Sequence, residues 1–397
     1  MKKRDLKKIF AGLFLASSVL TACNTTDSET KEKPEENKQE EAKQEDVKKD
    51  EAEKAEVNYG EVFKEAVAEL EKAKEGKDVD FDKVTELYTT NLQELVQKRD
   101  AEFEDTIDQH ITTALAAGKD GSMDKVVVKQ IFDKLMQKVF YTTMKHEFTE
   151  VDENWGNKEV VKEEIEEAKE FYAIIQTTVQ KRDTAYSTNM EDAIAGGFAE
   201  IEKAVEADDK LGFSLGKQVV DKTLMKTFYF ATGATPNGYA TKAAASAKEN
   251  AEEAKIQQAE GWAFYQSIFS YLNKHAQEDA AFIQKQFDLQ TDVKTLDPVA
   301  VNKAFVRGFS KIALHEYDES VENWGEDKSV ITALEGALFI DVIGEDIKAL
   351  IGEQEYNALN EKAQKYLEEA KGKDKAAGEA TLKEIRAALE TVIEKAK

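Results

Sequence analysis

The chain has one cysteine, three prolines and four histidines in 397 residues. A single cysteine excludes a disulfide-stapled scaffold. Proline punctuates loops and sheets, so three in such a length point to a mostly helical chain. Positive charge is also short, with 55 basic against 80 acidic residues and a net charge of −25. An acidic surface repels phosphate and has no counterions to release, which excludes nucleic acid as a partner. Catalytic signatures are missing as well. There is no Gly-x-Ser-x-Gly, no glycine-rich phosphate loop and no His-Glu-x-x-His, because Glu150 and Glu319 stand where a second His would be. The chain therefore reads as a binding protein and not an enzyme.

What is present begins at the N-terminus. Lys2, Lys3, Arg4, Lys7 and Lys8 precede an apolar run from Ile9 to Leu20, followed by Leu20-Thr21-Ala22-Cys23. The run is shorter than the roughly 20 apolar residues that span a bilayer. Leu-Thr-Ala-Cys resembles the lipobox of bacterial lipoproteins. The resemblance implies that residues 1–22 are a signal peptide removed before Cys23, whose thiol then carries a diacylglycerol. Two or three acyl chains there would anchor the protein stably at the extracytoplasmic face of the cell membrane. Residues 23–56 mix Glu, Lys, Asp and Gln with no aromatic residue. They cannot bury enough apolar surface to offset ordering, and are expected to be a disordered tether. The lysine- and glutamate-rich composition suits a Gram-positive cell surface.

The rest of the chain repeats itself. Val96-Gln97-Lys98-Arg99-Asp100 recurs as Val179-Gln180-Lys181-Arg182-Asp183. Asp133-Lys134 and Lys138-x-Phe140-Tyr141 recur as Asp221-Lys222 and Lys226-x-Phe228-Tyr229, with Asn302-Lys303 and Arg307-x-Phe309 as a third version. Glu167-Ala168-x-x-Phe171-Tyr172 recurs as Glu260-Gly261-x-x-Phe264-Tyr265 and Glu335-Gly336-x-x-Phe339. Apolar residues at Val128, Ile131, Leu135, Val139 and Phe140 mark one stripe of an amphipathic helix. No segment alternates with a period of two. The expected fold is all-α, with no sheet: three three-helix units over about 80–167, 168–260 and 261–344. A helix at about 57–76 precedes them, and two capping helices at about 345–371 and 375–397 close the array. Shared Phe, Tyr and Lys positions read as core rings and ion-pair partners.

One constellation carries possible chemistry. His146-Glu147-Phe148-x-Glu150-x-x-Glu153-Asn154-Trp155-Gly156 matches His315-Glu316-Tyr317-x-Glu319-x-x-Glu322-Asn323-Trp324-Gly325. On a helix, His146, Glu150 and Glu153 share one face, as do His315, Glu319 and Glu322. Glu167 and Glu335, just inside the following helices, are the candidates for a third carboxylate at each site. Imidazole with carboxylates suits iron, manganese or zinc better than calcium, and bundles build metal sites from such facing helices. The plainer reading pairs each His with a Glu one turn away and lets Asn-Trp-Gly end the helix. His110 and His275 read as structural or exposed.

In style the acidic, duplicated, all-helical body is similar to the imelysin-type lipoproteins of iron uptake. Their Gly-x-His-x-x-Glu motif is not met, since Thr149 and Asp318 stand three residues after His146 and His315, and no family residue is carried over. The resulting expectation is a lipid-anchored binding protein that captures iron or another divalent transition metal at two His/Glu sites. Its alternative is a helical scaffold or adhesion lipoprotein that presents its faces to another surface protein and holds no metal.

Overall fold

The structure, a computed structural model, describes residues 57–397. The signal segment, the lipobox with Cys23 and the whole of the tether lie outside the described residues. Within them the chain is all-α, without a strand. The helices are α1 (Tyr59–Glu71), α2 (Phe81–Leu87), α3 (Gln93–Phe103), α4 (Ile107–Asp120), α5 (Lys125–Glu153), α6 (Lys158–Tyr186), α7 (Met190–Ala207) and α8 (Lys210–Thr232). After these come α9 (Tyr239–Ser246), α10 (Ala251–His275), α11 (Gln277–Phe287), α12 (Pro298–Glu322), α13 (Asp327–Val342), α14 (Gly344–Ile351), α15 (Glu353–Lys371) and α16 (Lys375–Lys395). The first of the two expected capping helices is broken. Gly352 takes a φ of +97°, a conformation other residues rarely adopt, and ends α14 before α15 begins.

Local chemistry explains many of the boundaries. Asp124, Asp209, Asn250 and Asp297 each cap a helix by accepting backbone N–H groups of its first turn. The aspartates of the Gln-Lys-Arg-Asp signature act across a loop. Asp100 accepts from the backbone of Ile107 and Asp108 at 2.8 Å each. Asp183 accepts from Met190 at 2.7 Å and Glu191 at 2.9 Å. Each carboxylate thus ties the end of one helix to the start of the next. Gly197 lets α7 and α8 cross closely, because a Cβ there would strike Val220.

Helix α5 departs from the simple amphipathic stripe. Every residue from Val127 to Met144 is buried, including Lys129, Gln130, Asp133, Lys134, Gln137 and Lys138. It is enclosed by α1, α4, α6 and α10, so its polar side must be satisfied by protein groups and not by water. Lys129 and Lys134 reach Asp133 at 2.9 and 2.7 Å, and Lys138 reaches Asp105 at 2.7 Å. Helix α8 is buried in the same way from Val219 onward. Its Lys222 binds Asp221 at 2.8 Å and Glu335 at 3.3 Å.

The matched sequence positions make matched contacts. Lys134 lies 3.5 Å from Glu260 and over the Phe264 ring. Lys222 lies 3.3 Å from Glu335 and over Phe339. Tyr141 donates to Asp221 at 2.6 Å, while Asn302, at the position matching Asp221, donates to the Tyr229 hydroxyl at 2.9 Å. Phe140, Phe228 and Phe309 are all core residues. No described helix is long and apolar enough to cross a membrane.

Candidate carboxylate centre

The C-terminal half of α5 carries the first His-Glu segment. Residues 146 and 147 are successive on a helix, so their side chains diverge by about 100°. His146 faces α3: its Nδ1 lies 3.1 Å from a Glu102 carboxylate oxygen, and its Nε2 lies 3.8 Å from Glu150. Glu102 is shared with Arg99 at 3.1 Å. Glu153 is exposed at the end of the helix. Glu147 instead turns inward, 5% exposed, on the line of buried positions through Met144 and Val151.

There it meets α6. The carboxylates of Glu147, Glu164 and Glu167 each offer an oxygen within 4.8 Å of the other two. No other group of three or more His, Cys, Asp or Glu among the described residues converges so closely. Burial, a hydrogen bond with Glu164 and the charge of Glu167 push the Glu147 carboxyl up to about 9. At neutral pH the protonated form of Glu147 is therefore favoured. Neither Glu147 nor Glu164 has an ion-pair partner among the described residues.

The predicted set is thus rearranged. Glu167 does join a carboxylate centre, but its companions are Glu147 and Glu164, which the sequence reading passed over. His146, Glu150 and Glu153 are not brought to it. The physical reason is the helical phase: α6 packs against the Glu147 side of α5, one residue round from His146.

The second segment, on α12, shows what replaces such a centre. His315 lies 3.4 Å from Glu319, which binds Lys328 at 3.0 Å, and Glu322 is exposed. The His315 ring packs on His275 with centroids 4.5 Å apart. Desolvation and the neighbouring His315 push the His275 imidazole down to about 4. Glu316, matching Glu147, accepts from the Tyr271 hydroxyl at 2.8 Å. Burial and the charge of Glu335 raise Glu316 to about 7. Glu335, matching Glu167, is held by the Lys222 ammonium at 3.3 Å. Thr332 occupies the position matching Glu164 and returns its hydroxyl to the Lys328 carbonyl at 2.9 Å. One pair of glutamates is thus served by an internal ammonium. The other has a third carboxylate.

The Asn-Trp-Gly flanks end their helices. Asn154 and Asn323 donate to the carbonyls of Glu150 and Glu319 at 2.9 and 2.7 Å. Gly156 and Gly325 follow at φ +106° and +95°. Trp155 then packs on Phe213, and Trp324 on Tyr366. His110 packs edge-on to Trp262.

Three carboxylate oxygens within 4.8 Å fit one cation bound at about 2.3–2.6 Å from each. The donor set is all oxygen, with no imidazole. It suits a hard divalent ion such as Ca²⁺ or Mn²⁺ better than a soft transition metal. Glu147 has no sequence signature of its own, but a Glu on a buried apolar line is a recognisable anomaly. No protein family, curated protein or solved structure matches the chain.

Proposed function

We propose that this protein is a lipid-anchored extracytoplasmic binding protein that takes up a divalent cation at Glu147, Glu164 and Glu167. Anchoring through Cys23 rests on the lipobox-like Leu20-Thr21-Ala22-Cys23. Cation capture rests on one observation, the convergence of three carboxylates. At the matching place on α12 and α13, Lys222 supplies positive charge from within the protein. The reading thus becomes one oxygen-ligand site instead of two His/Glu sites for iron. Matched contacts of Lys134 and Lys222 support reading the body as copies of one helical unit.

Titrating Mn²⁺ and Ca²⁺ into the metal-free full chain by calorimetry tests this directly. One ion per chain is expected, lost in Glu147→Gln and Glu164→Gln and kept in His146→Ala. Loss in His146→Ala with retention in Glu147→Gln would restore the His-centred site. Absence of binding leaves the scaffold reading, favoured by the helix-ending role of Asn-Trp-Gly. For the anchor, Cys23→Ser should move the chain from the membrane to the soluble fraction.

A further inference from the structure

Between α3, α5, α8 and α10 lies a cavity of about 220 Å³ whose lining contrasts with the acidic chain around it. Three lysines reach it, Lys138, Lys145 and Lys274, against one lining carboxylate, Asp105. Lys138 is matched by Asp105 at 2.7 Å. Lys145 is only loosely matched, 3.8 Å from Asp221, and lies 5.5 and 5.9 Å from the ring centroids of Tyr141 and Phe103. Lys274 stands at the rim, exposed, with no carboxylate within ion-pair distance among the described residues. The balance over these groups and Asp221 is one positive charge.

The remaining polar groups are unevenly committed. The Tyr141 hydroxyl donates to Asp221 and that of Tyr271 to Glu316. With their hydroxyls committed elsewhere, these two rings line the cavity, with Phe103 beside them. Ser267 keeps a buried hydroxyl with no hydrogen-bond partner, an unsatisfied group that costs stability unless something meets it. The site combines ammonium groups with aromatic walls, at a volume for a ligand smaller than a typical drug.

We infer that this cavity binds a small organic monocarboxylate, with its carboxylate on Lys145 and Lys274 and its body against the aromatic rings. A single balancing charge favours a monoanion over a phosphate dianion, and the rings give nothing to a fully hydrated inorganic ion. Such a field inside low-dielectric walls concentrates an anion locally although the molecule as a whole repels it.

Calorimetric titration of the full chain with benzoate, and separately with inorganic phosphate, is the test. Saturable binding of benzoate to one site is expected, weakened about tenfold or more in Lys274→Gln and in Lys145→Gln. Lys274 is at the surface, so its variant should keep wild-type helicity. Ser267→Leu, which fills the cavity, should abolish binding. Phosphate binding as tightly as benzoate, no saturable benzoate binding, or unchanged affinity in both lysine variants would each overturn the assignment.

Discussion

Replacing Lys222 by Met tests how the buried charges of this body are held. The ammonium lies 2.8 Å from Asp221 and 3.3 Å from Glu335, over the rings of Tyr271 and Phe339, in a side chain only 4% exposed. Methionine keeps most of the volume and removes the charge. Breaking one partner out of a buried pair typically costs about 3–5 kcal/mol, because the remaining carboxylate is left desolvated. Tyr141 and Lys145 still face Asp221, so the lower end of that range is expected. The loss should depend on pH. Burial and Glu335 already raise Glu316 to about 7, and Lys222 is one of the groups holding it down. Without Lys222 it rises further, and an acid whose folded pKa is raised favours the folded state at low pH. Urea denaturation should therefore show about 3 kcal/mol lost at pH 8 and clearly less at pH 5. Glu335→Gln in the same chain should recover part of the loss at pH 8. A cost below about 1 kcal/mol at pH 8, or an equal cost at both pH values, would refute this account of the buried ions.

Other outcomes can be checked in the same way. Glu147 is raised from 4.5 to about 9, so its protonation supports the fold at low pH and that support drains away as pH rises through this window. Glu147→Gln should flatten the decline and, in metal-free buffer, stabilise the chain by about 1–2 kcal/mol at pH 8, after discount for partial solvation. Melting temperature against pH would show it. Asp183→Ala removes acceptors for the backbone of Met190 and Glu191. It should cost about 1–2 kcal/mol and speed amide exchange at the start of α7. At Gly378 a Cβ would overlap the Trp324 ring. Gly378→Ala should cost about 1–3 kcal/mol and shift the tryptophan emission.

Much of the body is legible in the sequence, for identifiable reasons. The scarcity of proline and the apolar periodicity point to helices, and the repeated Asp-Lys and Glu-Gly pairs mark positions that touch in the fold. The enclosure of α5 is hidden, because Lys129, Lys134 and Lys138 look like a solvated face until their partners Asp133, Glu260 and Asp105 are seen to close on them. At the candidate centre the duplicated segment carries one of the three converging carboxylates, Glu147, while His146 faces Glu102. Spacing alone puts His146, Glu150 and Glu153 on one face but cannot say which face the next helix covers. One residue of helical phase separates the solvent-side histidine from the buried Glu147.

Helices α5 and α8 share their inner Asp-Lys and Lys-x-Phe-Tyr positions, and chains with internally similar segments risk docking the wrong copy during assembly. The differences between them then act as keys. Gln137 binds Asp133 at 2.8 Å and accepts the Thr178 hydroxyl at 2.6 Å, whereas the position matching it on α8 is Met225. If α8 settled into the slot of α5, Thr178 would face a thioether instead of an amide. A slip by one turn would separate Lys134 and Lys138 from Glu260 and Asp105 together. Charged residues in the interior thus penalise misregistered assemblies that a purely oily interior would tolerate.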